Sequence, residues 1–177
     1  LITGSLGQLG SALFNTLSKD FNVLGTSRKS TQNQNIREMD VSIPIEVESI
    51  FNTFNPDIVI NCAAYTNVDG SEINKELAYN VNVKGLRNII QNSQPSTYII
   101  QISSDYVYDG KKPPYIESDH TYPLNYYGKT KLEAENILRG SNRDYLILRP
   151  NVLYSNELNS KANFFAWVYN QLNANKS

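Results

Sequence analysis

The chain of 177 residues is poor in the residues that form disulfides and metal sites, with one cysteine, Cys62, and one histidine, His120. Neither a disulfide within the chain nor a clustered cysteine and histidine metal site can be built from them, so no metal is expected. The chain also has no excess of basic residues, because sixteen lysines and arginines are balanced by seventeen acidic residues, for a net charge of -1. Nucleic acid is therefore not an expected partner.

Long apolar runs are absent too. No stretch approaches the roughly 20 residues of a membrane span, and the first residues lack the basic and apolar regions of a signal peptide. With 40% hydrophobic and 19% charged residues, the composition is that of an ordinary globular domain. We therefore expect a cytoplasmic protein with no membrane partner.

Segments with strand character alternate with segments of helical spacing along the chain. The predicted strands are residues 1–3, 22–26, 57–62, 97–102 and 145–148. The predicted helices follow the first strand, begin at Pro44, and cover residues 72–92 and 126–139. This order predicts an α/β fold with a doubly wound, mainly parallel Rossmann-type sheet and helices on both faces.

Both ends of the chain are expected to be incomplete. Residues 1–3 have the character of the last part of a buried strand, since strands typically run about 5 to 6 residues. Near the other end, Phe164, Phe165, Trp167 and Leu172 belong to an apolar set that needs a partner surface. We expect a further segment to follow.

Three glycines, Gly4, Gly7 and Gly10, lie where the first strand turns into the first helix. Glycine lets the backbone approach a pyrophosphate, and the free amides and dipole of a helix N-terminus favour negative charge. The series therefore predicts a dinucleotide site, with Gln8 and Leu9 in the same loop. The alternative is a tight strand-to-helix turn that binds nothing.

The segment after the second predicted strand indicates which dinucleotide binds. A site that prefers NAD usually carries an acid there for the ribose hydroxyls, and none occurs in residues 21–37. Instead Ser27, Arg28, Lys29 and Ser30 offer two cations and two hydroxyls, which suit the 2'-phosphate of NADP. A solvated basic turn is the alternative.

Tyr127 and Lys131 are four residues apart in a predicted helix, a spacing that places both side chains on one face. At ~1.5 Å rise per residue they begin about 6 Å apart. At an effective dielectric of about 20, a unit charge at that distance contributes on the order of 3 kcal/mol, or roughly two pKa units. We therefore expect the ammonium to lower the pKa of Tyr127, which would act as a general acid toward a carbonyl. The alternative is two amphipathic side chains on a solvated helix.

Ser103, Ser104 and Asp105 follow directly after the predicted strand of residues 97–102. A serine hydroxyl at this carboxyl edge can donate a hydrogen bond to a developing oxyanion. The alternative is a hydroxyl that ties down its own loop.

Several motifs together resemble the extended short-chain dehydrogenase/reductases. Within that superfamily the closest likeness is to the dTDP-4-dehydrorhamnose reductase family of sugar-nucleotide reductases, over residues 1 to about 154. The motifs are Gly4-x-x-Gly7-x-x-Gly10, Asn61-Cys62-Ala63-Ala64-Tyr65-Thr66, Val68-Asp69, Val81-Asn82, Ile102-Ser103-Ser104-Asp105-Tyr106-Val107-Tyr108-Asp109-Gly110, Pro114-Tyr115-x-Glu117 and Tyr127-Gly128-Lys129-Thr130-Lys131.

The resemblance implies roles for particular residues. Ser104 takes the catalytic serine or threonine position, Tyr127 is the proton donor, and Lys131 holds the nicotinamide ribose, which leaves Tyr126 and Lys129 as decoys. The further implied cofactor contacts are Asp40, Val41, Cys62, Ala63, Ala64, Tyr65 and Asn82, of which Asn82 supports the active site. The implied sugar contacts are Ser104, Asp105, Tyr106 and Asn151.

Two positions depart from the family pattern. Serine stands at position 104, where the family usually has threonine. Asn151-Val152 follows Arg149 where a serine-tryptophan pair is usual.

The function implied by the resemblance is the NADPH-dependent reduction of the 4-keto group of a nucleotide-linked deoxysugar, with dTDP-L-rhamnose as product; NADH remains possible as the reductant. Two alternatives stay open: a sugar-nucleotide epimerase or dehydratase, and a non-catalytic NADP-binding regulatory subunit similar to that of methionine adenosyltransferase. We expect an NAD(P)-binding Rossmann domain in residues 1–155 and the start of a truncated substrate-binding segment in residues 156–177. The expected partner is a nucleotide sugar, with a homodimer left open.

Overall fold

The computed structural model describes residues 1–154 and 164–174, with side chains from Val168 onward in the second range. The strands are β1 (Ile2–Thr3), β2 (Gly25–Ser27), β3 (Ile36–Glu38), β4 (Ile58–Asn61), β5 (Tyr98–Ile102) and β6 (Tyr145–Leu148). The helices are α1 (Gln8–Leu17), α2 (Pro44–Phe54), α3 (Val68–Ile73), α4 (Lys75–Tyr79), α5 (Gly85–Asn92), α6 (Tyr126–Arg139) and α7 (Phe164–Ala174). Within these ranges no helix has the length and apolarity needed to cross a membrane.

Part of the expected second segment lies outside the described residues. This applies to residues 156–163 and to the side chains of Phe164, Phe165 and Trp167. The proposed division at residue 155 therefore stays a prediction.

The six strands form one parallel sheet in the order β3-β2-β1-β4-β5-β6. Ile2 in β1 is in register with Gly25 on one side and with Ile60 on the other. The strand order therefore reverses between β1 and β4, where an open α/β sheet forms a crevice at its carboxyl edge. The predicted fold class is confirmed.

Helices cover the sheet on both faces because neighbouring residues of a strand point to opposite sides. Leu1 belongs to a large apolar cluster beneath α2, α5 and α6, whereas the adjacent Ile2 belongs to a smaller cluster. The smaller cluster contains Phe14 of α1 and Ile36 of β3. These two layers hold the carboxyl ends of the strands in fixed relative positions.

Two short strands differ from the expectation. The second strand was predicted at residues 22–26 and lies at Gly25–Ser27. β3 was not predicted, because of its three residues only Ile36 is buried and it follows a segment rich in asparagine and glutamine. Apolar patterning cannot reveal a strand with a single buried side chain.

The helix predicted at residues 72–92 is divided into separate parts. Asn67 caps α3 and Asn74 caps α4, each by accepting a hydrogen bond from a backbone amide three residues later. Between α4 and α5 the chain forms a π-type turn, Asn80–Lys84. Asparagine competes with helical backbone bonds, so Asn74 starts a new helix rather than continuing the old one.

A ladder of polar side chains crosses the carboxyl ends of the three central strands. Thr3 Oγ1 donates to Asn61 Oδ1 at 2.6 Å, and Asn61 Nδ2 donates to Gln101 Oε1 at 2.7 Å. All three residues are buried. Because a buried polar group without a partner is costly, this ladder fixes the register of β1, β4 and β5 beside the crevice.

We expect Asn61→Ala to lower the free energy of unfolding by about 2 kcal/mol, because it removes the acceptor of Thr3 and the donor to Gln101. Asn52→Ala, the same change at an exposed position of α2, should alter stability by less than about 0.7 kcal/mol. Urea unfolding of both variants measures the difference. Equal stabilities would show that the ladder contributes nothing.

Candidate active site

The glycine loop between β1 and α1 is closed tightly against the sheet. Gly4 has φ +64°, and a Cβ there would approach the backbone N and Cα of Ala63 to 2.9 Å. A Cβ on Gly10 would overlap the carbonyl oxygen of Gly4. Side chains are therefore excluded from both positions, and the backbone of the turn can approach its neighbours closely there.

The N-terminus of α1 opens above this loop with no side chain capping it. Gly7 is the N-cap residue, whereas α6 is capped by the side chain of Asn125. The first amides of α1 therefore remain available for an anion, and the loop leaves it room to approach. Gln8 Nε2 donates to the carbonyl oxygen of Leu153, and Leu9 is partly buried. These features fit the pyrophosphate of a dinucleotide.

The predicted phosphate-binding cations follow the carboxyl end of β2. Ser27 is buried and its hydroxyl accepts a hydrogen bond from the amide of Lys29 at 3.1 Å. Arg28 and Lys29 are exposed, and neither forms an ion pair with another described residue. Both cations are therefore exposed after the carboxyl end of β2, and their contact with a 2'-phosphate stays a prediction.

Asp40 and Val41 lie just beyond β3 in a fixed turn. The Asp40 carboxylate accepts hydrogen bonds from the amide and the hydroxyl of Ser42 at 2.8 and 2.7 Å. Val41 is buried in the large cluster and its carbonyl accepts from Asn88 Nδ2. Their contact with an adenine stays a prediction.

Asn82 joins the loop after β4 to helix α6. Its Oδ1 accepts from the amide of Tyr65 at 2.8 Å, and its Nδ2 donates to the Tyr65 carbonyl and to Thr130 Oγ1. Thr130 in turn donates to the carbonyl oxygen of Tyr127 at 2.7 Å. Both amide donors are thus used within the protein, so Asn82 holds the stretch from Cys62 to Tyr65 against the helix that carries Tyr127.

Tyr127, Ser104 and Asp105 meet at the carboxyl end of β5. The Ser104 hydroxyl lies near the phenol of Tyr127 and lowers its pKa. That hydroxyl donates to Asp105 Oδ1 at 3.1 Å and accepts from the amide of Tyr106 at 3.2 Å. The Tyr106 ring contacts the Tyr127 ring edge to face, with centroids 5.7 Å apart. The structure therefore brings the predicted hydroxyl and phenol together, and the hydroxyl also ties down its own loop.

The expected effect of Lys131 on the acidity of Tyr127 is wrong. Burial raises the pKa of the Tyr127 phenol above its usual value; the hydrogen bond from Ser104 lowers it less, and the Asp105 charge raises it further. Desolvation disfavours the phenolate, and the Lys131 ammonium is engaged elsewhere. Tyr127 is therefore fully protonated at neutral pH.

Lys131 is almost completely buried one turn farther along α6. Its ammonium donates to the carbonyl oxygen of Ile102 at 2.6 Å, at the end of β5. Burial lowers its pKa to about 8, while the charges of Glu135 and Cys62 raise it. The same neighbourhood raises the pKa of the Cys62 thiol to about 11, because burial outweighs the attraction of Lys131.

Neighbouring residues of the same types lie outside this group. Lys129 is exposed, and Tyr126 is partly buried with Lys75 over its ring. Of the two tyrosines and two lysines in this stretch, the structure therefore brings Tyr127 and Lys131 to the sheet edge.

A cavity of about 720 Å³ lies next to the turn after β5, and its lining includes none of Ser104, Tyr127 and Lys131. Asp105, Tyr106 and Asn151, all predicted sugar contacts, line it. Asn151 is exposed and its Oδ1 accepts from the amide of Val152. The cavity thus gathers the three predicted sugar contacts, and the Tyr106 ring connects it to Tyr127.

The sequence analysis missed Glu135 and assigned no role to Arg149. Glu135 has no exposed surface, and its carboxylate accepts two hydrogen bonds from Arg149, at 2.7 and 2.9 Å. A signal was available, because Glu135 is four residues after Lys131 and therefore shares the inward face of the helix. An acid on such a face needs a buried partner.

Comparison with known proteins agrees with the fold and the motifs. The family model of the RmlD substrate binding domain matches residues 1–177. The dTDP-4-dehydrorhamnose reductase of Aggregatibacter actinomycetemcomitans is 37% identical over 151 residues, which cover 84% of this chain and 49% of that protein. The methionine adenosyltransferase 2 subunit beta of Xenopus tropicalis is 36% identical over 158 residues, covering 87% and 46%.

A solved structure shares the architecture. The crystal structure of dTDP-4-dehydrorhamnose reductase from Bacillus anthracis, in complex with NADP, superimposes with a TM-score of 0.81 at 31% identity. The match covers 96% of this chain and 57% of that one. The chain spans about half the length of the curated relatives it matches.

We expect Lys131→Met to stabilise the fold at pH 7 by on the order of 3 kcal/mol, because it removes a buried ammonium whose pKa falls from 10.5 to about 8 on folding. The Ile102 carbonyl keeps its hydrogen bond from Gln101 Nε2. Between pH 8 and 10.5 the unfolded chain holds a proton on Lys131 that the folded chain has lost, so the parent gains stability as pH rises.

The advantage of Lys131→Met should therefore shrink as the pH approaches 10. Urea unfolding at pH 7 and pH 9.5 measures it, with the exposed Lys129→Met on the same helix as control. If the two methionine variants show the same pH dependence, the buried charge of Lys131 is not the cause.

Proposed function

Since the chain belongs to the RmlD substrate binding domain family, we propose that the full-length protein reduces the 4-keto group of a nucleotide-linked deoxysugar with NADPH. The product is dTDP-L-rhamnose. Family membership confirms the resemblance to sugar-nucleotide reductases. The observation that carries the proposal is the meeting of Tyr127, Ser104 and Lys131 at the carboxyl end of β5.

The residues that would hold the dinucleotide lie along the carboxyl edge of the sheet. The glycine loop and the uncapped start of α1 suit its pyrophosphate, and Arg28 and Lys29 suit a 2'-phosphate. Lys131 is placed for the hydroxyls of the nicotinamide ribose. When bound, the nicotinamide supplies a hydride for the carbonyl carbon.

The protein's own contribution is to orient the carbonyl and protonate its oxygen. Ser104 donates a hydrogen bond to that oxygen, and Tyr127 delivers the proton. The raised pKa of Tyr127 keeps this proton in place at neutral pH.

The sugar would occupy the cavity of about 720 Å³ next to Ser104. Asp105 and Asn151 offer hydrogen-bonding groups to its hydroxyls, and the half-exposed ring of Tyr106 offers an apolar face. The reacting carbonyl would then have to reach from the cavity toward Tyr127, past the Tyr106 ring.

Two other functions fit parts of the same site. A sugar-nucleotide epimerase or dehydratase would use the same tyrosine and lysine but keep its dinucleotide between half-reactions, so tightly bound cofactor would copurify. A regulatory NADP-binding subunit is favoured by the 36% identity to methionine adenosyltransferase 2 subunit beta. It would copurify with a catalytic partner and oxidise no NADPH with any 4-keto sugar nucleotide.

We expect Tyr127→Phe to lower turnover at least about 100-fold, because the proton donor is lost, while the dissociation constant of NADPH stays within about threefold. NADPH oxidation by the full-length protein against a panel of nucleotide-linked 4-keto sugars measures turnover, and fluorescence titration measures binding. Tyr126→Phe, the same change one residue earlier, is the control and should retain parental activity. Parental turnover by the Tyr127 variant would refute the proton-donor role.

We expect Arg28→Ala to weaken NADPH binding about 10-fold or more and to leave NADH binding within about twofold, because only NADPH carries the 2'-phosphate. Arg87→Ala removes the same charge from an exposed position of α5 and should affect neither dinucleotide. Titration of the three proteins with both dinucleotides gives the four ratios needed. Equal losses for NADPH and NADH would place Arg28 outside the phosphate site.

A further inference from the structure

Glu135 is a fully buried carboxylate that receives hydrogen bonds from three different parts of the chain. Ser103 Oγ donates to its Oε1 at 2.5 Å. Arg149 donates to both of its oxygens, and Arg139 donates to Oε2 at 3.0 Å. Burial alone would raise the pKa of Glu135, but the bonds from Arg149 and Ser103 and the charges of both arginines lower it, so it is ionised at neutral pH.

The donors of Glu135 lie next to residues of the proposed reaction. Ser103 directly precedes Ser104 at the end of β5, and Arg149 directly follows β6. The Glu135 carboxylate on α6 accepts hydrogen bonds from both Ser103 and Arg149. The position of the Ser104 turn relative to Tyr127 therefore depends on this carboxylate.

Arg149 also binds the loop over the cavity, which is the segment from Tyr108 to Glu117. Its Nη1 donates to the hydroxyl of Tyr108 at 2.5 Å and to the carbonyl of Glu117 at 3.2 Å. The guanidinium also lies over the Tyr108 ring, which stacks on Tyr115 with centroids 4.4 Å apart. Tyr108, Tyr115 and Arg149 all line the cavity.

The charge of Glu135 also acts on Lys131. The two residues are one helical turn apart on the buried face of α6, and because both are buried, solvent screens their attraction weakly. The titratable groups that face Lys131 are Glu135, Cys62 and the phenol of Tyr127 one turn earlier. Glu135 raises the pKa of Lys131, so it helps to keep this amine charged.

We propose that Glu135 is a positioning residue of the active site. Through Ser103 and Arg149 it fixes the Ser104 turn and the loop over the cavity against α6, and it maintains the ammonium of Lys131. Its catalytic effect rests on the proposed reductase function. A purely structural ion pair would instead stabilise the fold and leave the kinetics and the Lys131 titration unchanged once the protein is folded.

The test is Glu135→Gln in the full-length protein, which preserves shape and removes the charge. Glu133→Gln, the same change at an exposed position of the same helix, is the control. We expect kcat to fall about 10-fold or more for the Glu135 variant, with the NADPH dissociation constant within about threefold, because misplacing a reacting group mainly slows the chemical step. The alkaline limb of the kcat profile should move to lower pH, because Lys131 then loses its proton more readily.

A second readout separates this inference from the proposed function. The pKa of the Lys131 side chain, measured by NMR of its ε-carbon, should be lower in the Glu135 variant than in the parent or the Glu133 variant. If the parent oxidises no NADPH with any 4-keto sugar nucleotide, the proposed function fails, and the Lys131 titration still decides the action of Glu135 on this amine.

Parental kcat together with an unshifted Lys131 titration in folded Glu135→Gln would overturn the inference. If that variant does not fold, Ser103→Ala decides, because it removes one hydrogen bond to the Glu135 carboxylate and leaves both arginine pairs in place. It should lower kcat about 10-fold in protein that stays folded at the assay temperature. Parental kcat in Ser103→Ala would then overturn the positioning role.

Discussion

The hydrogen bond from the Lys131 ammonium to the Ile102 carbonyl, at 2.6 Å, joins helix α6 to the carboxyl end of β5 at the expense of burying a charge. Desolvation of an ammonium is costly unless other groups offset it. Two features of the fold supply the offset: the carbonyl at the strand end and the carboxylate of Glu135 one turn along the helix. The unfavourable charge therefore lies where the sheet, the helix and the crevice meet. Since such burial does not serve stability, it indicates a functional requirement at this point.

The sequence predicted the elements whose buried faces repeat over several turns or residues, and it failed where one residue decides. Helix α6 was predicted at its observed bounds, Tyr126–Arg139, and in the structure the side chain of Asn125 caps its start. β3 was missed because Ile36 is its single buried residue, and the long helix was divided at Asn74, whose side chain caps α4. A cap inside an otherwise helical pattern is visible in the sequence only as one polar residue, so periodicity cannot locate it.

For the site, the spacing of four residues was enough to predict that Tyr127 and Lys131 share one face of a helix. The position of Ser104 directly after a predicted strand was enough to predict that it lies at the same edge of the sheet. The sequence could not predict the pKa of the Tyr127 phenol, because that pKa depends on the burial of the ring and on the position of the Lys131 ammonium. The links of Asn82 to Tyr65 and Thr130, and of Glu135 to Ser103 and Arg149, join residues 14 to 48 positions apart. Such contacts follow from the sheet order, which the sequence pattern did not specify.

The scaffold is shared by relatives named dTDP-4-dehydrorhamnose reductase and methionine adenosyltransferase 2 subunit beta, so the fold alone does not assign a function. A binding subunit needs the glycine loop and the cations after β2, and both would hold a dinucleotide without any acid or base. It has no need of a phenol paired with a serine hydroxyl beside a cavity, nor of an ammonium kept charged by a buried carboxylate. Maintaining this second group of residues costs stability, because each of them buries a polar or charged atom. Their presence together therefore favours the reductase over the binding subunit.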